Sequence, residues 1–361
     1  MVERTETNYG IKKRKWGEIN GKEIYLFTIT NSKGSVLQVT NYGAAVTALT
    51  LKDNVGSKTD VLLGYELLED YIEDNYYMGT VVGRYANRIE GSEVLIDGNK
   101  FNLSSKEAGY HLHGGKIGFN KKVWDVLEID SFKIKLRYYS PDGEEGFPGN
   151  LEVIVSYFFD EENTWTVDYT ATTDKSTLLN LTHHAYFNLD GHQYGSILKH
   201  KLKINAEKYL PVTGLQVPTG DLADVHGTPF DFIERKTIGR HINDLNEQLT
   251  LSGGFDHSWV LEEVPGNHLK YAATLEAYKS GIQLNVFTTE PALHLYSGNF
   301  LDNITGKSKV LYKKRSGLCL ETQHFPDAPN NQHFPSTILR PGEIFRSKTI
   351  FQFLFNKDSK G

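Results

Sequence analysis

The sequence predicts an all-β protein, a large antiparallel β-sandwich with few and short helices. Three observations carry this expectation. Short runs of β-branched and aromatic residues recur along the chain. Turn signals built from Gly, Asn, Asp and Ser sit between them, as hairpins require. Helical patterns are scarce, and no strand-then-helix alternation appears, which argues against a parallel α/β sheet.

The runs in order are residues 23–30 (EIYLFTIT), 35–40 (SVLQVT), 133–139 (KIKLRYY), 151–159 (LEVIVSYFF), 164–172 (TWTVDYTAT), 270–278 (KYAATLEAY) and 281–288 (GIQLNVFT). In most of them apolar residues fall at every second position, the period at which successive side chains leave opposite faces of a strand. Asn20-Gly21, Asp97-Gly98, Asp142-Gly143 and Ser280-Gly281 are the turn signals. Two segments suggest helix. One is residues 65–74; the other is residues 232–249, which Gly239 weakens. No Pro-rich or Ser-rich linker divides the chain, so residues 1–361 are expected to form one domain.

At 361 residues the chain is long enough for a large core. Hydrophobic residues make up 39% and charged residues 23%, ordinary for a globular protein. The net charge of -6 gives no electrostatic reason to bind nucleic acid or a phospholipid surface. Cys319 is the single cysteine, which excludes an internal disulfide. Residues 1–6 hold no apolar run of signal-peptide length, and no stretch is long and apolar enough to span a membrane. The expectation is a cytoplasmic protein, monomer or homodimer, with a small-molecule partner. The basic run Lys12-Lys13-Arg14-Lys15 reads as a solvated edge of the first strand. Tyr and Phe, 20 and 19 in number, favour strands and also line carbohydrate clefts.

The most informative stretch is Asn180-Leu181-Thr182-His183-His184-Ala185-Tyr186-Phe187-Asn188-Leu189. Read as a strand, it sends Asn180, Thr182, His184, Tyr186 and Asn188 to one face and mostly apolar residues to the other. A solvent face would carry Lys, Glu and Asp. This one carries neutral polar groups, an aromatic ring and an imidazole, which suits a polyol.

Gly317-Leu318-Cys319-Leu320-Glu321-Thr322-Gln323 is a second such strand. Its leucines share one face, and Cys319, Glu321 and Gln323 share the other. A carboxylate within an apolar strand is costly unless it is paired or functional. Burial raises a Glu pKa from about 4.3 towards neutrality, which makes a usable general base. Cys319, between two leucines, reads as a small packing residue rather than a nucleophile.

Three further segments carry polar chemistry. Tyr110-His111-Leu112-His113-Gly114-Gly115 sets two imidazoles on one strand face, a weakly specific metal pair that no Cys or carboxylate cluster accompanies. Gly83-Arg84-Tyr85-Ala86-Asn87-Arg88 offers two guanidinium groups and an amide, suited to vicinal hydroxyls. Gly253-Gly254-Phe255-Asp256-His257 places a carboxylate after a flexible turn.

Together with Asn41-Tyr42-Gly43-Ala44, Glu290-Pro291-Ala292-Leu293-His294 and Leu339-Arg340-Pro341-Gly342-Glu343, these blocks resemble the aldose 1-epimerase family in order and spacing along almost the whole chain. The resemblance implies the galactose mutarotase-like supersandwich, with a sugar cleft across one sheet. It implies Glu321 as base and His184 as acid. It implies Asn87, Arg88, His113 and Asp256 as the groups that hold the sugar hydroxyls, with Tyr186 and His294 as further binding residues. The family carries Asn where this chain has His183, and some relatives carry Gln where it has His294. Arg84 is expected to be structural. A carboxylate near His184, either Glu321 or Asp256, is expected to raise the pKa of the imidazole.

The expected reaction interconverts the α and β anomers of an aldose such as galactose or glucose. It needs one base and one acid, no metal and no cofactor. A sugar-binding module without chemistry is one rival. An epimerase of hexose phosphates is another; it calls for several cations, and Arg88 and Lys116 are the candidates. Residues 324–335 are expected to form a loop near Glu321.

Overall fold

Two antiparallel sheets face each other across a shared core in the structure, a computed structural model that describes residues 9–105, 109–262 and 268–355. The larger sheet has nine strands in the order Asp125–Ile129, Lys133–Ser140, Leu151–Phe159, Thr164–Thr173, Phe345–Phe355, Ile282–Thr288, Lys270–Glu276, Lys201–Ile204 and Lys236–Thr237. The second has six, in the order Tyr186–Phe187, Leu318–Gln323, Ala292–Tyr296, Asp256–Val260, Lys208–Tyr209 and Ala223–Asp224. A five-stranded meander from Gly10–Ile19 to Lys58–Asp60 completes the framework.

Alternation explains the core. The Leu151–Phe159 strand buries Leu151, Val153, Val155, Tyr157 and Phe159. These pack in one apolar cluster with Trp259, Leu293, Leu295, Leu318 and Leu320 of the six-stranded sheet and Phe27, Leu37 and Leu49 of the meander. Each such Val, Leu or Phe side chain contributes about 1.5–3 kcal/mol when fully buried. The Ala292–Tyr296 and Leu318–Gln323 strands are buried on both faces. One face enters the core. The other, which carries the polar residues, forms a cleft floor.

Asn20-Gly21 and Asp97-Gly98 have positive φ at both positions, the geometry that two-residue hairpin turns demand. Asp142-Gly143 does not close a tight hairpin; it leads into the short 3-10 turn Glu144–Gly146. The seven runs read as strands all appear within a few residues of their expected limits. Residues 1–6 lie outside those described. Among the described residues no helix is long and apolar enough to cross a membrane.

Three expectations need correction. Residues 232–249 are not one helix: the Phe232 carbonyl accepts from the Ile204 amide, and Lys236–Thr237 joins the edge of the nine-stranded sheet. A 3-10 turn forms at Ile238–Arg240 and α-helix only at Glu247–Ser252, where the Asn246 side chain accepts from the Gln248 and Leu249 amides and Gly253 ends it in the left-handed region. Of residues 65–74 only Leu68–Glu73 is helical. Residues 180–189 are not one strand. Thr182–His183 pairs with Val81–Val82, whereas Tyr186–Phe187 joins the six-stranded sheet beside Leu318 and Cys319.

Candidate active site

Register builds the cleft floor. Ser258, His294 and Glu321 are partners across three neighbouring strands and form one row. Two residues along, Asp256, Tyr296, Cys319 and Tyr186 form the next row. In a pleated sheet, positions two apart share a face, so both rows rise on the same side. His184 enters from the chain between its two short strands. Asn87, Arg88 and His113 come from the turns around the Arg88–Glu90 and Tyr110–Leu112 strands.

Glu321, His184, Asn87, Arg88, His113, Tyr186, Asp256 and His294 all border a single cleft of about 190 Å³. Asn75, Tyr76, Tyr77, Leu112, Tyr296 and Phe300 complete its wall. A wider hollow of about 520 Å³, bounded by His226, Arg235, Lys236 and Asp244, shares no residue with it and holds mostly exposed charges.

Glu321 and His184 face each other, Oε1 to Nε2, at 3.8 Å. Both are almost fully buried. Burial, helped by the nearby Asp256 charge and opposed by Arg88, pushes the Glu321 carboxyl well above the usual range. Its Oε2 has no hydrogen-bond partner within the protein. Burial lowers the His184 pKa to about 4 and outweighs the pull of Asp256. This reverses the expectation that a neighbouring carboxylate raises it: losing hydration costs the imidazolium more than the carboxylates return. Burial therefore favours a carboxylic acid beside a neutral imidazole.

Asp256 is organised differently. Burial alone would raise its pKa, but the hydrogen bond from His294 and the Arg88 charge together hold it at about 2. His294 Nε2 lies 2.8 Å from Asp256 Oδ1 and its Nδ1 lies 2.9 Å from Ser258 Oγ. Arg88 reaches Asp256 at 3.9 Å and donates to Gln216 Oε1 at 2.9 Å. Gln216 in turn donates to the Leu251 carbonyl. A fixed anion, a guanidinium and imidazoles thus stand around one small space, and between them they can accept from and donate to a row of hydroxyls.

His113 Nδ1 accepts from the Asn87 amide at 3.1 Å, so its ring proton sits on Nε2. Asn87, His113 and Tyr77 all hold positive φ, of 66°, 49° and 56°. Non-glycine residues there cost about 1–3 kcal/mol each, and such strain gathers at functional sites. Gly114 next to His113 has no alternative: a Cβ there would lie 1.8 Å from the Gly83 carbonyl oxygen.

Not every polar residue of the sequence reading reaches the cleft. Asn180, Thr182 and Asn188 spend their side chains on backbone carbonyls. Tyr186 borders the cleft, but its hydroxyl donates to the Tyr76 carbonyl. His111 and His113 do not share a face: the strand ends at Leu112, and the His111 ring packs edge-on against Phe147 with Nδ1 at the Ser104 carbonyl. The two imidazoles are therefore not brought together as a metal pair. One group of possible ligand atoms among the described residues does converge, His184, Cys319 and Glu321, within 4.8 Å of one another. Arg84 is structural, donating to Ser140, Pro141, Pro148 and Thr177. His183 lies on the opposite face, its ring edge-on to Trp165 at 4.8 Å. Lys116 is exposed and does not border the cleft. Residues 324–335 also do not line it; Phe325, Ala328 and Phe334 pack in a small apolar cluster, and the Asp327 amide donates to the Arg88 carbonyl.

Sequence reasoning missed Tyr77, Tyr296, Phe300, Gln216, Ser258 and the place of Cys319. Ser258 and Tyr296 were accessible in principle, because each lies two residues from a chosen residue, Asp256 or His294, on the same strand face. Gln216 sits on a turn far from any motif and left no such signal.

Comparison with known proteins shows the family. The aldose 1-epimerase family profile matches residues 25–352. The chain is 40% identical to galactose mutarotase of Homo sapiens over 318 residues, 88% of this chain and 90% of the relative. It is 37% identical to aldose 1-epimerase of Escherichia coli K12 over 337 residues, 93% of this chain and 96% of the relative. Among solved structures, galactose 1-epimerase of Lactobacillus acidophilus superimposes with a TM-score of 0.83 at 30% identity, covering 96% of this chain and 99% of the other. An aldose epimerase homologue of C. elegans does so with a TM-score of 0.85 at 29% identity, covering 92% and 99%. With its sequence matched over most of its length and its fold shared, the chain belongs to the aldose 1-epimerase family of isomerases.

Proposed function

We propose that this protein interconverts the α and β anomers of a free aldose, galactose or glucose, with Glu321 as base and His184 as acid. The observation that carries the reading is the 3.8 Å approach of Glu321 Oε1 to His184 Nε2 at the floor of a cleft lined by hydroxyl-binding groups. Ring opening breaks the C1–O5 bond. Glu321 accepts the O1 proton and His184 delivers one to O5, leaving an open aldehyde with a C5 hydroxyl. The pair is then a carboxylic acid and a neutral imidazole, the protonation that burial favours. After rotation about C1–C2 the C5 hydroxyl attacks the other carbonyl face. Glu321 returns its proton to O1 and His184 recovers one from O5, so the cycle is closed.

The Asp256 carboxylate accepts from sugar hydroxyls; Arg88, His113 Nε2 and Asn87 donate to them. Their buried setting gives each bond more weight than it has in water. The test is polarimetry of freshly dissolved α-D-glucose and α-D-galactose in EDTA, with wild type beside Glu321→Gln and His184→Asn. Acceleration by wild type that either substitution cuts by about 10² or more supports the pair. No acceleration of either sugar, or its abolition by EDTA, overturns it.

A further inference from the structure

We infer that Gln216 is a positioning residue for Arg88: it anchors the guanidinium to the turn of residues 213–217 and so holds it off Asp256, which leaves both charges open to neighbouring sugar hydroxyls. The inference deepens the proposed function and rests on the hydroxyl-binding role given there to Arg88 and Asp256.

Arg88 Nη2 donates to Gln216 Oε1 at 2.9 Å and stops 3.9 Å from Asp256 Oδ2. The first distance is a hydrogen bond and the second is too long for one. The Arg88 and Asp256 side chains are only 12% and 9% exposed. An unrestrained guanidinium beside such a carboxylate closes into a two-bond fork, the strongest geometry open to the pair. Here the fork stays open. His294 holds Asp256 at Oδ1, and Oδ2 is the oxygen that faces Arg88. Arg88 Nε is buried without a hydrogen-bond partner, so the guanidinium is not used up by the protein.

Gln216 can restrain Arg88 because it is itself restrained. Its backbone is left-handed, with φ 58°, and its amide donates to the Thr213 carbonyl at 2.8 Å. Its side-chain Nε2 donates to the Leu251 carbonyl at 3.1 Å. Just before the turn, the Gln248 side chain accepts from the Val212 amide and donates to the Val212 carbonyl. Gln248 and Leu251 both belong to the Glu247–Ser252 helix, from which the chain runs through Gly253 and Gly254 to Asp256. Arg88 and Asp256 thus hang from one turn-and-helix unit, the first through Gln216 and the second through the chain. Gln216 does not itself border the cleft, so it acts through Arg88 and not on the sugar. Without it the guanidinium is free to close on Asp256, and a sugar must break that ion pair before it gains its own hydrogen bonds. Lost preorganisation of this kind is paid in affinity.

The experiment compares wild type, Gln216→Met and Gln216→Glu as full chains. Gln216→Met keeps the length and removes both side-chain hydrogen bonds; Gln216→Glu keeps an acceptor oxygen for Arg88. Polarimetry gives kcat and KM, calorimetric titration with D-galactose gives Kd, and thermal melts give Tm. For Gln216→Met the expected result is a KM and Kd about tenfold higher, the lower end of what a hydrogen bond to a charged group contributes. Its kcat stays within about twofold, because ground-state binding is what is lost. Gln216→Glu recovers most of the affinity. Wild-type KM and Kd in Gln216→Met overturn the inference. So does an equal loss of affinity in both variants that follows their Tm, or a fall in kcat at unchanged KM. A wild type that binds galactose without turning it over fails the proposed reaction and leaves the Kd comparison to decide the inference. If Arg88→Ala itself keeps the wild-type Kd, the binding role of Arg88 fails first and this inference with it.

Discussion

His294 and Glu321 stand directly opposite each other on neighbouring strands, so the residue that braces Asp256 and the proposed base share one cross-strand row. Asp256 and the proposed base are therefore coupled through a single ladder, and the Asp256 charge helps keep the Glu321 pKa high.

Replacing Asp256 separates binding from chemistry. Asp256→Asn removes a charged hydrogen-bond acceptor, worth about 1.5–3 kcal/mol. The expected outcome is a KM raised by about tenfold or more, together with a basic limb of the pH profile that moves down because Glu321 loses a neighbouring negative charge. Steady-state polarimetry across pH measures both. An unchanged KM refutes the binding role.

The pH profile of kcat/KM reports the Glu321–His184 pair as a unit. Between its two titrations the pair holds one proton, whichever residue carries it. Activity is expected to fall as pH drops through about 4, where His184 takes a second proton. It falls again on the basic side, above the ordinary carboxylate range, where the shared proton is lost. Activity still rising above pH 10 excludes the pair.

Acid lability follows from buried neutral imidazoles. Burial holds His183 and His257 at about 3 and His184 and His200 at about 4. Unfolded, each ring binds a proton near 6.5. Below that pH the unfolded chain carries more protons than the folded one, so stability falls as pH falls. Glu321 and Asp327, raised by burial, act in the opposite sense, but burial lowers His111 and His192 as well, so six imidazoles stand against two carboxyls. Asp256, held at about 2, adds its own loss only further down, as pH falls below 3.8. Thermal melts should show Tm decreasing between pH 7 and pH 5; a flat Tm over that range contradicts the account.

His183 tests the two faces of its segment. Both its ring nitrogens are buried without hydrogen-bond partners. Replacing an unsatisfied polar group by an apolar one of similar size is neutral or stabilising. His183→Leu is expected to keep kcat and KM, to hold or raise Tm at pH 7, and to weaken the acid lability. A collapse of kcat with an intact fold places His183 in the chemistry instead.

Arg84 is a matter of geometry as much as charge. Its planar fork serves Ser140, Pro141, Pro148 and Thr177 at once, which an ammonium cannot reproduce. Arg84→Lys is expected to lower stability by about 3 kcal/mol or more, measured by urea unfolding, through buried acceptors left unmatched. A loss within 0.5 kcal/mol, roughly the noise of a surface change, argues against this role.

How much of this was legible depends on where the information lies. Strands such as Leu151–Phe159 declare themselves, because period-two burial is written in consecutive residues. Glu321 was legible for the same reason: a carboxylate in an apolar strand is a local anomaly. Residues 232–249 misled because their polar and apolar spacing suits a helix, while the decisive hydrogen bonds run to Ile204 and the Lys201–Ile204 strand, distant in sequence. The direction of the His184 shift was read wrongly because desolvation is a property of the whole cleft. His111 and His113 parted because the chain leaves the strand at His113, whose positive φ no spacing rule announces.

The cleft divides its labour by backbone type. Glu321, Cys319, His294 and Asp256 ride on ladder strands that the core holds in place, whereas Asn87, His113, Tyr77 and Gln216 ride on turns with left-handed residues. Under the proposed function, drift in a turn is expected to change which hydroxyl pattern is welcomed while Glu321 stays fixed on its strand. Such an architecture lets a lineage change its sugar while keeping its reaction.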